Sequence, residues 1–291
     1  MKVDKFRTVI IYIIIILLGL VCLLPLLNIV AISFSSSAAV EGNMVGLIPV
    51  GFSTAAYEKI LEDSQFWHSF LISVERVVLT LIINFVLIVL MAYPLSKTNA
   101  QFRGRNIYAN LMIFAMLFNG GMIPTFLLVK SYGLLNTVWA LVLPGAVPIF
   151  NVILVMNFFA AVPKEPEEAA FIAGANPLQV LTKIFIPISK PVLATVSLFS
   201  IVGSWNDFYS GLIYMSKAAY YPLMTYIQSL QINVEDLIKQ GNLSAVVDSA
   251  SLGNTNLNAA KIVVAVIPLL LIYPLLQRYF VSGIVVGSVK G

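Results

Sequence analysis

Long apolar runs separated by short polar stretches dominate the chain. Six reach the roughly 20 residues that an α-helix needs to cross a bilayer. They are Val9–Ile32, Phe70–Leu95, Ile107–Val129, Val138–Val162, Pro191–Met215 and Ala260–Val281. Inside lipid a backbone must satisfy its own hydrogen bonds, so these runs are expected to be helices. The Gly120-Gly121 pair in the third run and Pro144 and Pro148 in the fourth predict kinks or local unwinding. The first run follows Lys2, Lys5 and Arg7, as a signal peptide's would. At Val9–Ile32 it is too long for a signal h-region of about 7–15 residues, and it reads as an uncleaved first span.

Composition agrees with the pattern. Of 291 residues, 59% are hydrophobic and 10% charged, against about 25% charged in soluble domains. The net charge of +4 comes without a dense Lys/Arg run, so nothing points to nucleic acid. The single cysteine, Cys22, cannot form an internal disulfide, and with His68 as the only histidine a zinc-type metal site is not expected.

Basic residues set the expected orientation. With the N-terminus inside, the inner segments hold Lys2, Lys5, Arg7, Lys97, Arg103, Arg105, Lys164, Lys183, Lys190, Arg278 and Lys290. The outer ones hold only Lys59, Lys130, Lys217, Lys239 and Lys261. Both termini are therefore expected on the cytoplasmic side. Two outer segments, Ser35–Ser69 and Ser216–Asn258, are long enough to carry structure, and Ser53 is a candidate cap for a short helix in the first. Arg76 lies within the second span beside Glu75; neighbours in a helix point to different sides, so each is expected to pair with another helix.

Between the fourth and fifth spans runs EEAAFIAGANPLQVLTKIFIPISKP, Glu167 to Pro191. Pro166 suits a first helical turn, and Glu167 and Glu168 favour the positive end of a helix dipole. Gly174 permits a reversal. Asn176 is a good N-cap and Pro177 a good first residue for a second helix, which Pro187 and Pro191 are expected to end. Residues 165–190 thus predict helix, turn, helix on the cytoplasmic side. Ala169, Ala170, Ala173 and Ala175 form a small-residue face for close approach by another protein, although an ordinary solvated loop has the same local chemistry.

The spacing is more specific. Glu168-Ala169-Ala170, three residues, Gly174, nine residues, Ile184, one residue, then Ile186-Pro187 resembles the EAA signature of bacterial ABC-importer permeases. Ile186 stands for the usual leucine, and Ala173 where carbohydrate-type members often have aspartate. Ala92–Arg105, Met122–Pro144, Trp205–Tyr214 and Arg278–Gly291 are similar to the smaller permease subunit of maltose-type importers. The third-to-fourth passage is similar to a subgroup handling alginate or lipo-oligosaccharide-related sugars.

The resemblance implies a single all-α integral membrane domain over residues 1–291, with six transmembrane helices of the type I permease fold and a cytoplasmic coupling helix. It implies a bacterial inner-membrane location and partners: a homologous second permease, an ATPase dimer at the cytoplasmic face, an extracytoplasmic solute-binding protein and an oligosaccharide. Glu167, Glu168, Ala169, Ala170, Gly174, Ala175 and Asn176 are the implied ATPase-docking residues. No phosphate loop is present, so the chain is expected to bind no cofactor; ATP and Mg belong to the separate ATPase subunits. No catalytic constellation appears either.

Polar residues at membrane depth are costly and become candidates for the sugar path. Trp205, Asn206, Asp207 and Tyr209 lead, followed by Asn119, Asn151 and Asn157. Trp and Tyr can stack on a sugar ring, and Asn and Asp can bond its hydroxyls. Helix-to-helix contact is the competing role, above all for Asp207, which repels an acidic sugar. In the outer segment Gly241, Asn242, Ser249 and Asn254 are candidates for contact with the binding protein, with a plain spacer as the alternative. An ion-gradient-driven transporter is the other functional reading. It requires buried ion-coordinating groups, for which only Asp207 and Glu75 are available, and leaves the EAA segment unexplained.

Overall fold

The computed structural model describes residues 5–118, 120–230 and 255–287. Every regular element among the described residues is helical. Three helices are long and apolar enough to cross a membrane, and the number rises to six if each of three bent helix pairs is one span.

The unbroken helices are Lys5–Ser33, Ser64–Leu95 and Thr255–Gly287; the first and third are longer at both ends than their apolar runs, and the second starts earlier but ends with its run at Leu95. The bent pairs fall where the sequence has its breakers. Arg105–Leu117 and Met122–Ser131 meet at 109°, where Gly121 takes a φ of +88° that non-glycine residues rarely adopt. Val138–Val142 passes through a 3-10 turn at Leu143–Gly145 and resumes as Ile149–Ala160, bent by 47° around Pro144 and Pro148. The fifth span differs from the expected 191–215. Helix Lys190–Asn206 stops at an extended Asp207, and Tyr209–Tyr214 is a separate short helix. Its 17 residues make about 26 Å, near the roughly 30 Å of a hydrocarbon core.

Read as one domain in sequence, the chain gathers into two compact units, residues 1–67 with 226–268 and residues 68–225 with 269–291. In the first unit helix Lys5–Ser33 carries exposed apolar side chains on every side. Helix Ala55–Glu62 begins at Thr54 rather than Ser53; the Ser53 hydroxyl still accepts from the Ala55 N–H at 3.3 Å. Asp63 accepts from Lys261 Nζ at 2.7 Å and from the Tyr226 hydroxyl at 2.9 Å. Lys261 is nearly sealed from solvent, so the pair is what makes its burial tolerable.

The second unit has a continuous apolar core. Ile88, Ala92, Tyr93, Val152, Val155, Phe159, Phe185 and Val196 belong to it. It joins the second, fourth and fifth spans to residues 177–188. Tyr93 and Phe159 both meet Phe185 edge-on, with centroids 5.1 and 5.4 Å away.

Candidate functional site

Two sites stand out, both in the second unit. The first is the hairpin. Helix Glu165–Ile172 places Glu165, Glu167 and Glu168 in its first turn. Its end is a Schellman turn: the Ala175 N–H reaches the Ala170 carbonyl at 2.9 Å and the Gly174 N–H that of Phe171 at 3.0 Å. Gly174 sits at φ +84°, as the reversal requires. Asn176 and Gln179 then form a reciprocal capping box, both bonds at 2.9 Å. Pro187 does not end this second helix. A π turn at Leu181–Phe185 widens the chain just before it, and the helix runs on through Ile186–Ile188. A wide turn spreads the carbonyls that a proline ring otherwise meets. The chain then turns by 84° into the fifth span.

The hairpin's acids divide. Glu168 is exposed, as are Ala169, Gly174 and Asn176, while Ala170 and Ala175 are half-buried. Glu167, expected among the docking residues, is instead 8% exposed and has an internal role. Lys97 Nζ holds its Oε1 at 2.6 Å while lying 4.2 Å from the Tyr93 ring centre and 4.1 Å from that of Phe185. Adjacent residues on a helix face different directions, so one acid turns in and the other out. A cleft of about 330 Å³ opens at the hairpin between Ala170, Ala173, Gly174, Gln179, Lys183 and Ile184. Beside it Ile172 is 89% exposed and Leu178 62%.

The second site is a cavity of about 270 Å³ between the second, fourth and fifth spans. One wall is a buried polar stripe on helix Ser64–Leu95. Ser73, Arg76, Thr80 and Asn84 recur every three or four residues, which places them on one face, and the last three line the cavity. The facing wall uses the same spacing, with Ser200, Gly203, Ser204 and Asp207. Asn84 Nδ2 donates to Ser200 Oγ at 3.2 Å. Arg76 closes one end: Nη2 meets Asp207 Oδ2 at 2.5 Å and Nη1 donates to the Asp207 carbonyl at 2.9 Å. Asp207 Oδ1 accepts from the Ser210 N–H at 3.1 Å. The extended Asp207 between two helices is thus held by three bonds.

Of the expected path residues among the described ones, the cavity collects only Asp207 and Asn151. Trp205 is buried with its ring edge-on to Phe70, at 5.6 Å, and packs the core. Asn206 and Asn157 are exposed and do not line the cavity. Tyr209 is exposed too, its hydroxyl 3.1 Å from Met122 Sδ. Glu75 points out, while Arg76 pairs not with a helix but with the extended Asp207 beyond the end of helix Lys190–Asn206. Asn119, Gly241, Asn242, Ser249 and Asn254 lie outside the described residues. Sequence reasoning missed Thr80, Asn84, Ser200 and Ser204. Their signal was the period of polar residues within apolar helices, not any single residue.

Apolar helices broken at defined points, with a polar cavity between three of the spans, fit a membrane transport subunit. Residues 84–286 match the family described as "Binding-protein-dependent transport system inner membrane component", and the chain belongs to it. It is the inner-membrane permease subunit of an ABC importer with the type I permease fold, and is not itself catalytic. Permeases of this class work with a separate ATPase and a solute-binding protein. The chain is 40% identical to "Protein LplC" of Bacillus subtilis, over 94% of this chain and 91% of that one. It is 39% identical to the "Polygalacturonan/rhamnogalacturonan transport system permease protein YtcP" of the same species, over 99% of each. It is also similar to a chain in a solved structure, "Crystal structure of a bacterial ABC transporter involved in the import of the acidic polysaccharide alginate". The TM-score there is 0.84 at 32% identity, covering 96% of this chain and 98% of that one.

Proposed function

We propose that this chain is one of two homologous permease subunits in an ATP-driven importer of oligosaccharides, with uronate-containing chains of the alginate and polygalacturonan kind as the substrate class. The likeness to permeases of acidic polysaccharides supports the substrate. The hairpin carries the coupling half of the reading. It is capped on both sides of its turn, presents Ile172 and Leu178 to its surroundings, and has a cleft between its two helices. Such a surface suits an ATPase subunit that closes on nucleotide and moves the hairpin, and Glu168 is the partner offered to a basic residue there. ATP and Mg sit on a separate ATPase dimer, and this chain binds no cofactor. The basic bias supports a cytoplasmic side for both termini and the hairpin, with a solute-binding protein on the opposite face.

The test is reconstitution of the complete importer with its binding protein in proteoliposomes, with uptake of alginate and polygalacturonan oligosaccharides followed with and without internal ATP. Uptake is expected only with ATP; uptake driven by an ion gradient alone refutes the reading. Glu168→Lys is expected to lose ATPase co-purification and transport together. A variant that keeps both removes Glu168 from docking.

A further inference from the structure

A loop at the C-terminal end of the first span takes no part in the hairpin or the cavity. Helix Lys5–Ser33 leads into the short helix Ser37–Glu41, and residues 42–50 then fold back beside the span. The loop is closed at its neck. The Ser36 N–H donates to the Val50 carbonyl at 3.1 Å, the Val50 N–H to Ser35 Oγ at 3.0 Å and the Ser53 N–H to the Phe34 carbonyl at 2.9 Å. Gly51 permits the tight closure: its φ is +63°, and an added Cβ would lie 2.7 Å from Ser36 Oγ.

A residue within the span fixes the depth of the loop. Asn28 Nδ2 donates to the Gly46 carbonyl at 2.7 Å and lies 3.4 Å from that of Val45. A side-chain amide at membrane depth is costly unless paired, and the loop carbonyls are its partners. Asn28 precedes the helix end at Ser33 by five residues, which at 1.5 Å per residue is about 7.5 Å along the axis. Apolar groups at a bilayer interface typically sink by about 5–10 Å, so the two depths agree.

Met44, Leu47, Ile48 and Phe52 are each more than half exposed. Residues 42–57 contain no Asp, Glu, Lys or Arg. Phe52 stacks on Phe34 at 5.6 Å, and Phe34 meets Tyr57 at 4.7 Å, an aromatic cluster suited to the edge of a bilayer. An exposed apolar patch marks either a protein partner or a membrane. The adjoining stretch of span selects the membrane. Among residues 20–30 only Cys22 is small, whereas helices that pair in lipid approach across small residues. Leu23, Leu24, Leu26 and Leu27 are exposed there, so the loop extends a bulky apolar surface. The backbone sets the limit of insertion. The N–H groups of Gly46, Leu47 and Ile48 have no partner among the described residues. Such backbone is excluded from the hydrocarbon core but is satisfied by headgroups and water at its edge.

We propose that residues 42–53 are an interfacial anchor, strapped to the first span by Asn28, that inserts Met44, Leu47, Ile48 and Phe52 at the headgroup–acyl boundary of one leaflet. The anchor sets how deep the span sits. Its partner is bulk phospholipid, since the loop offers no cation to select a headgroup. The proposal is independent of the sugar carried.

The experiment uses the complete importer in phosphatidylcholine–phosphatidylglycerol vesicles. Cys22→Ser and replacement of the other subunits' cysteines leave Ile48→Cys as the single site for a nitroxide. Electron paramagnetic resonance power saturation reads collisions with oxygen, which concentrates in lipid, and with a neutral nickel chelate, which stays in water. Oxygen is expected to relax the Ile48→Cys label. Nickel is expected to lose the effect it has on a label at Glu58→Cys, an exposed position on helix Ala55–Glu62. A label at position 48 that nickel reaches as it reaches position 58 lies in water. One that neither reagent reaches lies under protein, whether the second permease or the binding protein. Either result overturns the anchor. Asn28→Leu is expected to restore nickel access at position 48 by releasing the loop, and unchanged access overturns the strap. ATP hydrolysis stimulated by the binding protein shows that each labelled complex is assembled, and Phe52→Cys carries the same expectations if Ile48→Cys does not assemble.

Discussion

The contact between Lys97 and Glu167 yields a quantitative prediction. It ties the end of the second span to the first helix of the hairpin, and both side chains are largely sealed, at 13% and 11% exposure. Two aromatic rings flank the ammonium, so Lys97 is held by charge and by ring faces together. Removing one partner of a buried pair typically costs about 3–5 kcal/mol because the other is stranded. Partial exposure and the rings, worth about 0.5–2 kcal/mol for a cation, both soften that. Glu167→Gln is therefore predicted to destabilise by about 2–3 kcal/mol. Glu167→Met with Lys97→Met removes both charges and is predicted to recover most of the loss, since apolar replacement of a buried pair is often neutral. The assay is thermal unfolding of the purified complex in detergent. At about 2–4 °C per kcal/mol, the single variant is expected to melt roughly 5–10 °C lower. If the single variant melts with wild type, or the double is as damaged as the single, the pair is not what holds the hairpin.

Three other predictions follow from local geometry. Gly174 has φ +84° and open space where a Cβ would sit, so Gly174→Val is expected to cost about 1–2 kcal/mol from backbone strain alone, with Gly174→Asn milder; ATPase co-purification across the two variants reports the difference, and equal effects refute the strain argument. At Gly211 the opposite holds: an added Cβ lies 2.0 Å from Thr225 Oγ1 and 2.8 Å from its Cβ, so Gly211→Ala is expected to destabilise by at least about 1–3 kcal/mol, with Thr225→Gly as the rescuing change in a melting assay. Asp63 is held below its ordinary pKa: burial pushes it up, but the Lys261 ammonium, the Phe66 N–H and the Tyr226 hydroxyl together outweigh that. A lowered folded-state value means the stabilisation is present above the unfolded value of about 3.9 and is lost as pH falls through the folded one. Acid unfolding below about pH 4 is therefore expected to include a component that Asp63→Asn abolishes, and an unchanged acid transition in that variant refutes it.

Much of the helical framework was legible because it is set by composition within short windows. An apolar run of some twenty residues has one backbone solution in lipid, and Gly120-Gly121, Pro144 and Pro148 punctuate it wherever they fall. The hairpin was equally readable, since the Asn176 cap and the Gly174 reversal depend on neighbours within four residues. Pro187 was misread because its cost is relieved by the π turn at Leu181–Phe185, a choice no local rule signals. The fifth span was drawn too long because Asp207 looks like a helix residue until Arg76, 131 positions away, holds it extended.

By itself, then, the sequence determined the class of molecule, the places where its helices break, and the capped hairpin. These follow from solvent and from backbone chemistry acting over a turn or two. Only the tertiary structure decided which polar residues share a cavity. It brought Arg76, Thr80 and Asn84 to Ser200 and Asp207, and sent Trp205 and Tyr209 elsewhere. It also decided that Glu167 turns inward to Lys97 while Glu168 stays free. Helical periodicity says which residues share a face. Which face meets which is set by packing between spans more than a hundred residues apart, and nothing local encodes it.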